Sequence, residues 1–94
     1  SVYYRINGMI NDIVNPTYGN LYMNDATGNL YVYGCYPGWG AVGNNRKGWL
    51  ATANIELEDE LTMIGYKYTY TDKNTGVSTI ELCGGIYFSH TKSE

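Results

Sequence analysis

The chain has 94 residues, enough for one domain and not for two. Its net charge of −3 and sequence pI of about 4.9 exclude a strong, charge-driven grip on a phosphate backbone, which goes with a pI above ~9. No apolar run approaches the ~18 residues that a membrane-spanning helix requires. Charged residues make up only 16% of the chain, while Tyr occurs 11 times and Gly 12 times. Tyr and Thr suit pleated, half-buried surfaces, and Gly and Asn suit turns, so the composition predicts strands joined by tight turns.

The first predicted strand runs from Val2 to Val14, with Tyr4, Ile6, Met9 or Ile10, and Ile13 carrying the apolar pattern. Gly8 interrupts it, and a Gly within a strand marks a bulge or bend, so the alternation is expected to change phase there. Pro16 and Gly19 make Asn15 to Asn20 a turn. The second strand spans Leu21 to Asn24 and the third Leu30 to Tyr36, joined by the hairpin loop Asp25-Ala26-Thr27-Gly28, in which Gly28 supplies a positive φ. Pro37 to Ala53 is a long Gly- and Asn-rich stretch holding both Trp residues, and loops of this length are often functional. Any helix in it is short and follows Gly48. The acidic run Ile55 to Glu60 is either one short helical turn or an extended lead-in, with Glu56, Glu58, Asp59 and Glu60 read as a solvated loop. The fourth strand runs from Leu61 to Thr71, and the turn Asp72 to Gly76 leads into the fifth, Val77 to Phe88. The polar tail from Ser89 is expected to fray. No segment shows a convincing helical period. Five strands with long first and fourth members predict one all-β, five-stranded barrel spanning residues 1–94.

Three segments give the chain a family resemblance. Leu21 to Val32 resembles the strand 2–3 hairpin of the OB-fold, with alternating apolar residues and an Asp and a Gly at the turn. Glu58 to Lys67 resembles the entry to its strand 4, and Tyr4 to Ile10 resembles its opening strand with a mid-strand Gly. The resemblance is to the nucleic-acid-binding, anticodon-type OB domains, including versions found in bacterial secreted proteins and lipoproteins. It implies a Greek-key barrel with at most a short helix between strands 3 and 4. It also implies a binding module for single-stranded nucleic acid rather than an enzyme, acting through the face of strands 2 and 3.

With Leu21, Met23, Leu30 and Val32 facing the core, alternation turns Tyr22, Asn24, Tyr31 and Tyr33 outward. These residues are the candidate ligand face, either as a stacking platform or as cross-strand aromatic pairs covering a sheet. Trp39, placed between two glycines, and Arg46 and Lys47, flanked by Trp39 and Trp49, complete the candidate site by offering an aromatic face and charge to a phosphate or a sugar. Trp49 is read as a plug for the barrel end. Tyr66, Tyr68 and Tyr70 share one face of strand 4, either as a protein contact surface or, the reading preferred here, as a sheet stabilised by aromatic neighbours.

The chemistry of catalysis finds little support. The lone His90 lies in the tail, no Ser, His and Asp set assembles, and there is no phosphate loop or metal motif. Cys35 and Cys83 are expected to be two buried free thiols rather than a disulfide, and no cofactor is expected. An acidic, Tyr-rich chain also fits an oligosaccharide or protein partner, or a structural domain of a larger secreted protein. The Tyr-, Asn-, Gly- and Thr-rich composition suggests an extracytoplasmic setting. Binding of nucleic acid predicts that Arg5, Arg46, Lys47, Lys67 and Lys73 converge on one rim.

Overall fold

The computed structural model describes residues 2–26 and 28–93. Ser1, Glu94 and Thr27 of the strand 2–3 hairpin loop lie outside them. The strands are β1 (Tyr3–Asn15), β2 (Asn20–Asp25), β3 (Gly28–Tyr36), β4 (Glu60–Thr71) and β5 (Ser78–Thr91). A 3-10 turn at Gly43–Arg46 and the single-turn helix α1 (Trp49–Thr52) link β3 to β4, the short helix after Gly48 that the sequence allowed. The strands close into one barrel in the order β1-β2-β3-β5-β4. This is an all-β, OB-like architecture.

β1 closes the barrel because it is long enough to serve two partners. Its first half pairs with β4 from Tyr3↔Tyr66 to Met9↔Glu60, and its second half pairs with β2 from Met9↔Asn24 to Asn15↔Asn20. Gly8 sits at the changeover, where a Cβ would lie 2.2 Å from the Asn24 carbonyl oxygen. The glycine therefore serves close approach of two backbones. It does not shift the phase as the sequence suggested: Ile6, Gly8 and Ile10 are buried in unbroken alternation. The register shifts come later, between Ile10 and Asp12 and between Ile13 and Asn15.

The barrel interior takes Ile6 and Ile10 from β1, Leu21 and Met23 from β2, Leu30 and Val32 from β3, Leu61 and Met63 from β4, and Leu82 from β5. The four core positions expected on β2 and β3 are all buried. Leu50 of α1 and Ile55 cover the core at one end. Trp49 is only partly buried and packs edge-on against Tyr87, with ring centroids 5.6 Å apart. Trp49 and Leu50 both pack against the core, Leu50 fully buried and Trp49 in part.

Two expectations about polar segments are corrected. β5 continues to Thr91, pairing His90 with Leu61 and Thr91 with Glu60, so the tail from Ser89 is strand and not frayed. Within the acidic run, Asp59 is 1% exposed. Its carboxylate accepts hydrogen bonds from Lys92 Nζ at 2.6 Å, from the Glu56 amide at 2.8 Å and from the Ser93 amide at 3.0 Å. Lys92 Nζ also reaches Glu56 Oε1 at 2.8 Å. A buried carboxylate needs such partners, and here they fasten the end of the chain to the β4 entry.

Candidate functional site

The candidate face is assembled by strand pairing. In β2 and β3, Tyr22 lies opposite Tyr31, and their rings pack with centroids 4.9 Å apart. β3 then pairs in parallel with β5, setting Tyr31 against Glu81 and Tyr33 against Cys83. β5 pairs antiparallel with β4, setting Glu81 against Tyr68 and Cys83 against Tyr66. Since Val32 and Leu82 point inward, these partners all point outward. One row therefore reads Tyr22, Tyr31, Glu81, Tyr68 across four strands, about 14 Å at the usual strand spacing. A second row reads Tyr33, Cys83, Tyr66.

The tyrosine face continues in both directions. Tyr66 meets Tyr3 at 6.1 Å, and Tyr3 meets Trp39 at 5.7 Å. Trp39 is 74% exposed, so it extends the aromatic track onto the loop after β3. At the other end the long β4–β5 hairpin brings Tyr70 and Thr79 over the β2–β3 face, enclosing a cleft with Tyr22, Asn29, Tyr31 and Glu81. The Asp72 carboxylate holds the hairpin's turn by accepting hydrogen bonds from the Asn74 and Thr75 amides at 2.7 and 3.0 Å.

Arg46 stands at the margin of this surface. The 3-10 turn carries it over β3 at Gly34, where a Cβ would lie 2.5 Å from its guanidinium. Gly34 also has φ +91°, so glycine serves both the backbone and the close contact. The guanidinium lies 5.0 Å from the Tyr18 ring, 5.5 Å from Tyr36 and 5.7 Å from Tyr33. Three ring faces partly offset its charge. Among the described residues it has no carboxylate partner, and its buried Nε has no hydrogen-bond partner. Beside it a depression of about 350 Å³ is lined by Tyr33, Tyr36, Tyr66, Tyr68 and Cys83.

Charge and protonation across the face follow from this placement. Partial burial first, then Glu81, Tyr22 and Tyr33, holds the Tyr31 phenol above its ordinary value, so at neutral pH it is a hydrogen-bond donor. Burial and then Glu81 raise Cys83 as well, and burial pushes Cys35 up to about 12. Both cysteines are free thiols. Cys35 is inside the barrel, while Cys83 lies on the outer face beside Tyr33. Neither has the lowered pKa of a reactive thiolate. His90 donates to or accepts from the Tyr87 hydroxyl at 2.7 Å, at the end of β5 and away from the tyrosine face. Among the described residues no cluster of His, Cys, Asp and Glu is suited to hold a metal, and no helix is long and apolar enough to cross a membrane.

Of the residues singled out from sequence, Tyr22, Tyr31 and Tyr33 lie together on the outer face, Asn24 follows at its exposed end, and Arg46 borders it. Lys47 is close to Tyr18, 6.0 Å from its ring. Trp39 joins through Tyr3 and Tyr66, not through Arg46 and Lys47 as the sequence order implied. The cations do not converge on one rim. Arg5 lies over Phe88 at 4.5 Å and Lys67 over Tyr4 at 4.6 Å, while Lys73 is in the β4–β5 turn. The sequence reading places Tyr66 and Tyr68 on one face of strand 4 but outside the candidate site, and it does not single out Glu81, Tyr18 or Tyr36. The alternation of Tyr66 with Tyr68 was visible, but the parallel β3–β5 register that adds them to the face was not.

No protein-family model, curated protein or solved structure matches this chain.

Proposed function

We propose that this chain is a non-enzymatic binding module that takes single-stranded nucleic acid by stacking bases on its outer tyrosine face. The observation that carries the reading is one outer face that gathers two aromatic groups, Tyr22 with Tyr31 and Tyr66 with Tyr3 and Trp39, with Tyr68 between them, bordered by an Arg46 guanidinium without an anionic partner among the described residues. Every base has a π-face, so tyrosines accept bases of any sequence, at ~1–3 kcal/mol each. An unpaired guanidinium beside the rings supports an anionic ligand. Against an association cost of roughly 4 kcal/mol or more, a few such contacts give weak binding, with Kd about 10 µM or higher.

A second reading is an oligosaccharide on the same face. It is favoured by the net charge of −3 and by the scatter of Arg5 and Lys67 over separate rings. Tryptophan and tyrosine fluorescence, titrated with a short oligothymidine at low salt, separates the two. Quenching that disappears in Tyr31→Ala supports stacking of nucleic acid. No response to oligothymidine, with a response to a neutral oligosaccharide, moves the site to sugars.

A further inference from the structure

We infer that Glu81 makes this face selective for guanine, an inference that rests on the nucleic-acid reading above. Glu81 stands between Tyr31 on β3 and Tyr68 on β4, its direct partners in the sheet, and it lines the cleft under the β4–β5 hairpin. It is only half-buried, and among the described residues it has no ion pair or hydrogen bond. A carboxylate without a partner is unusual in the middle of an aromatic surface, because its oxygens only accept and require donors once covered.

A base laid on either neighbouring ring presents its edge to that carboxylate, within one strand spacing of about 4.8 Å. Repulsion by Glu81 turns the phosphates away, so bases face the sheet and the backbone faces solvent. Single-stranded recognition reads the Watson–Crick edge of such splayed bases. Guanine alone carries two donors side by side there, N1–H and N2–H, matching the two carboxylate oxygens. Cytosine and adenine each set an acceptor beside their amino group, and thymine flanks its one N–H with two carbonyls. Each of these brings an acceptor lone pair against the Glu81 oxygens. Arg46 lies 5.7 Å from the ring of Tyr33, which is about 7 Å along β3 from Tyr31. It is placed to meet a phosphate adjoining the selected base.

The test titrates the intact chain at low salt with three pentamers: oligothymidine, the same strand with a central guanine, and the same strand with a central hypoxanthine, which lacks the N2 amino group. The guanine strand is expected to bind about tenfold tighter than oligothymidine, as for a bidentate base contact. The hypoxanthine strand should fall between them. Glu81→Gln, with thermal unfolding unchanged, should bring the guanine strand to near equality with oligothymidine, the ratio of the two affinities being the readout. Equal binding of the guanine and thymine strands by the wild-type chain, or a guanine advantage that survives in Glu81→Gln, would overturn the role of Glu81 while leaving the stacking reading intact. Absence of binding by all three strands would overturn both.

Discussion

Asp59 illustrates how one side chain ties a chain end to a barrel. Burial by itself raises its pKa, but hydrogen bonds from Lys92, Ser93 and Glu56 outweigh that and bring it from 3.8 down to about 2. A carboxylate depressed in the folded state stabilises the fold above its ordinary pKa, and that contribution is lost as pH falls from about 4 through about 2. Lys92 moves the other way. Its hydrogen bonds to Asp59 and then to Glu56 raise it, so its contribution is complete below its ordinary value of 10.5 and is lost as pH rises past it. Asp59→Asn keeps the volume and removes the charge. It should lower stability by about 1–3 kcal/mol at neutral pH, seen as a lower urea midpoint at unchanged m value, and should flatten the acid limb of stability between pH 4 and 2. An unaltered acid limb would show that another carboxylate governs it. The sequence displayed four acidic residues in a row of five, Glu56 and Glu58 to Glu60, with nothing local to distinguish Asp59. Its burial depends on Lys92 and Ser93, more than thirty residues away.

At the scale of elements, β1 and the β4–β5 hairpin shape the molecule. β1 has to leave β4 and join β2 within one strand, and the Asn24 backbone occupies the space where a Cβ at Gly8 would project. Gly8→Ala must displace one strand, at a cost of about 1–3 kcal/mol. Chemical denaturation should read this as a midpoint shift, and unchanged stability would mean the changeover tolerates a wider separation. The turn chemistry of the β2–β3 and β4–β5 hairpins was legible in Gly28, which adopts φ +126°, and in Asp72 with Gly76, which adopts φ +72°. The extension of β5 to Thr91 was not legible, because its terminal residues Ser89 to Thr91 are polar. They are held by pairing with Glu60 to Thr62 and not by their own hydrophobicity.

At the scale of the whole molecule, the distribution of six cationic side chains sets the strength and salt response of any phosphate contact. Arg46 and Lys47 flank the tyrosine face, Arg5 and Lys67 are engaged with other rings, and Lys92 is ion-paired. With two cations in reach, log K for single-stranded DNA should fall with log salt at a slope of about −1.4. Replacing Arg46 and Lys47 together with Gln should bring that slope near zero while stacking on Tyr31 persists. A slope as steep in the double variant as in the wild type would mean that other cations carry the contact. By itself the sequence determined the strand count, the core set Leu21, Met23, Leu30 and Val32, and the outward Tyr22, Tyr31 and Tyr33, since a period of two within a strand is a local property of the extended backbone. Only the tertiary structure decided the register in which distant strands adjoin. The parallel pairing of β3 with β5 brings Glu81 and the β4 tyrosines to the same face, and the loop after β3 folds Arg46 onto Gly34. Those contacts join residues far apart in sequence, and they are fixed by closure of the barrel around one core, which no local pattern encodes.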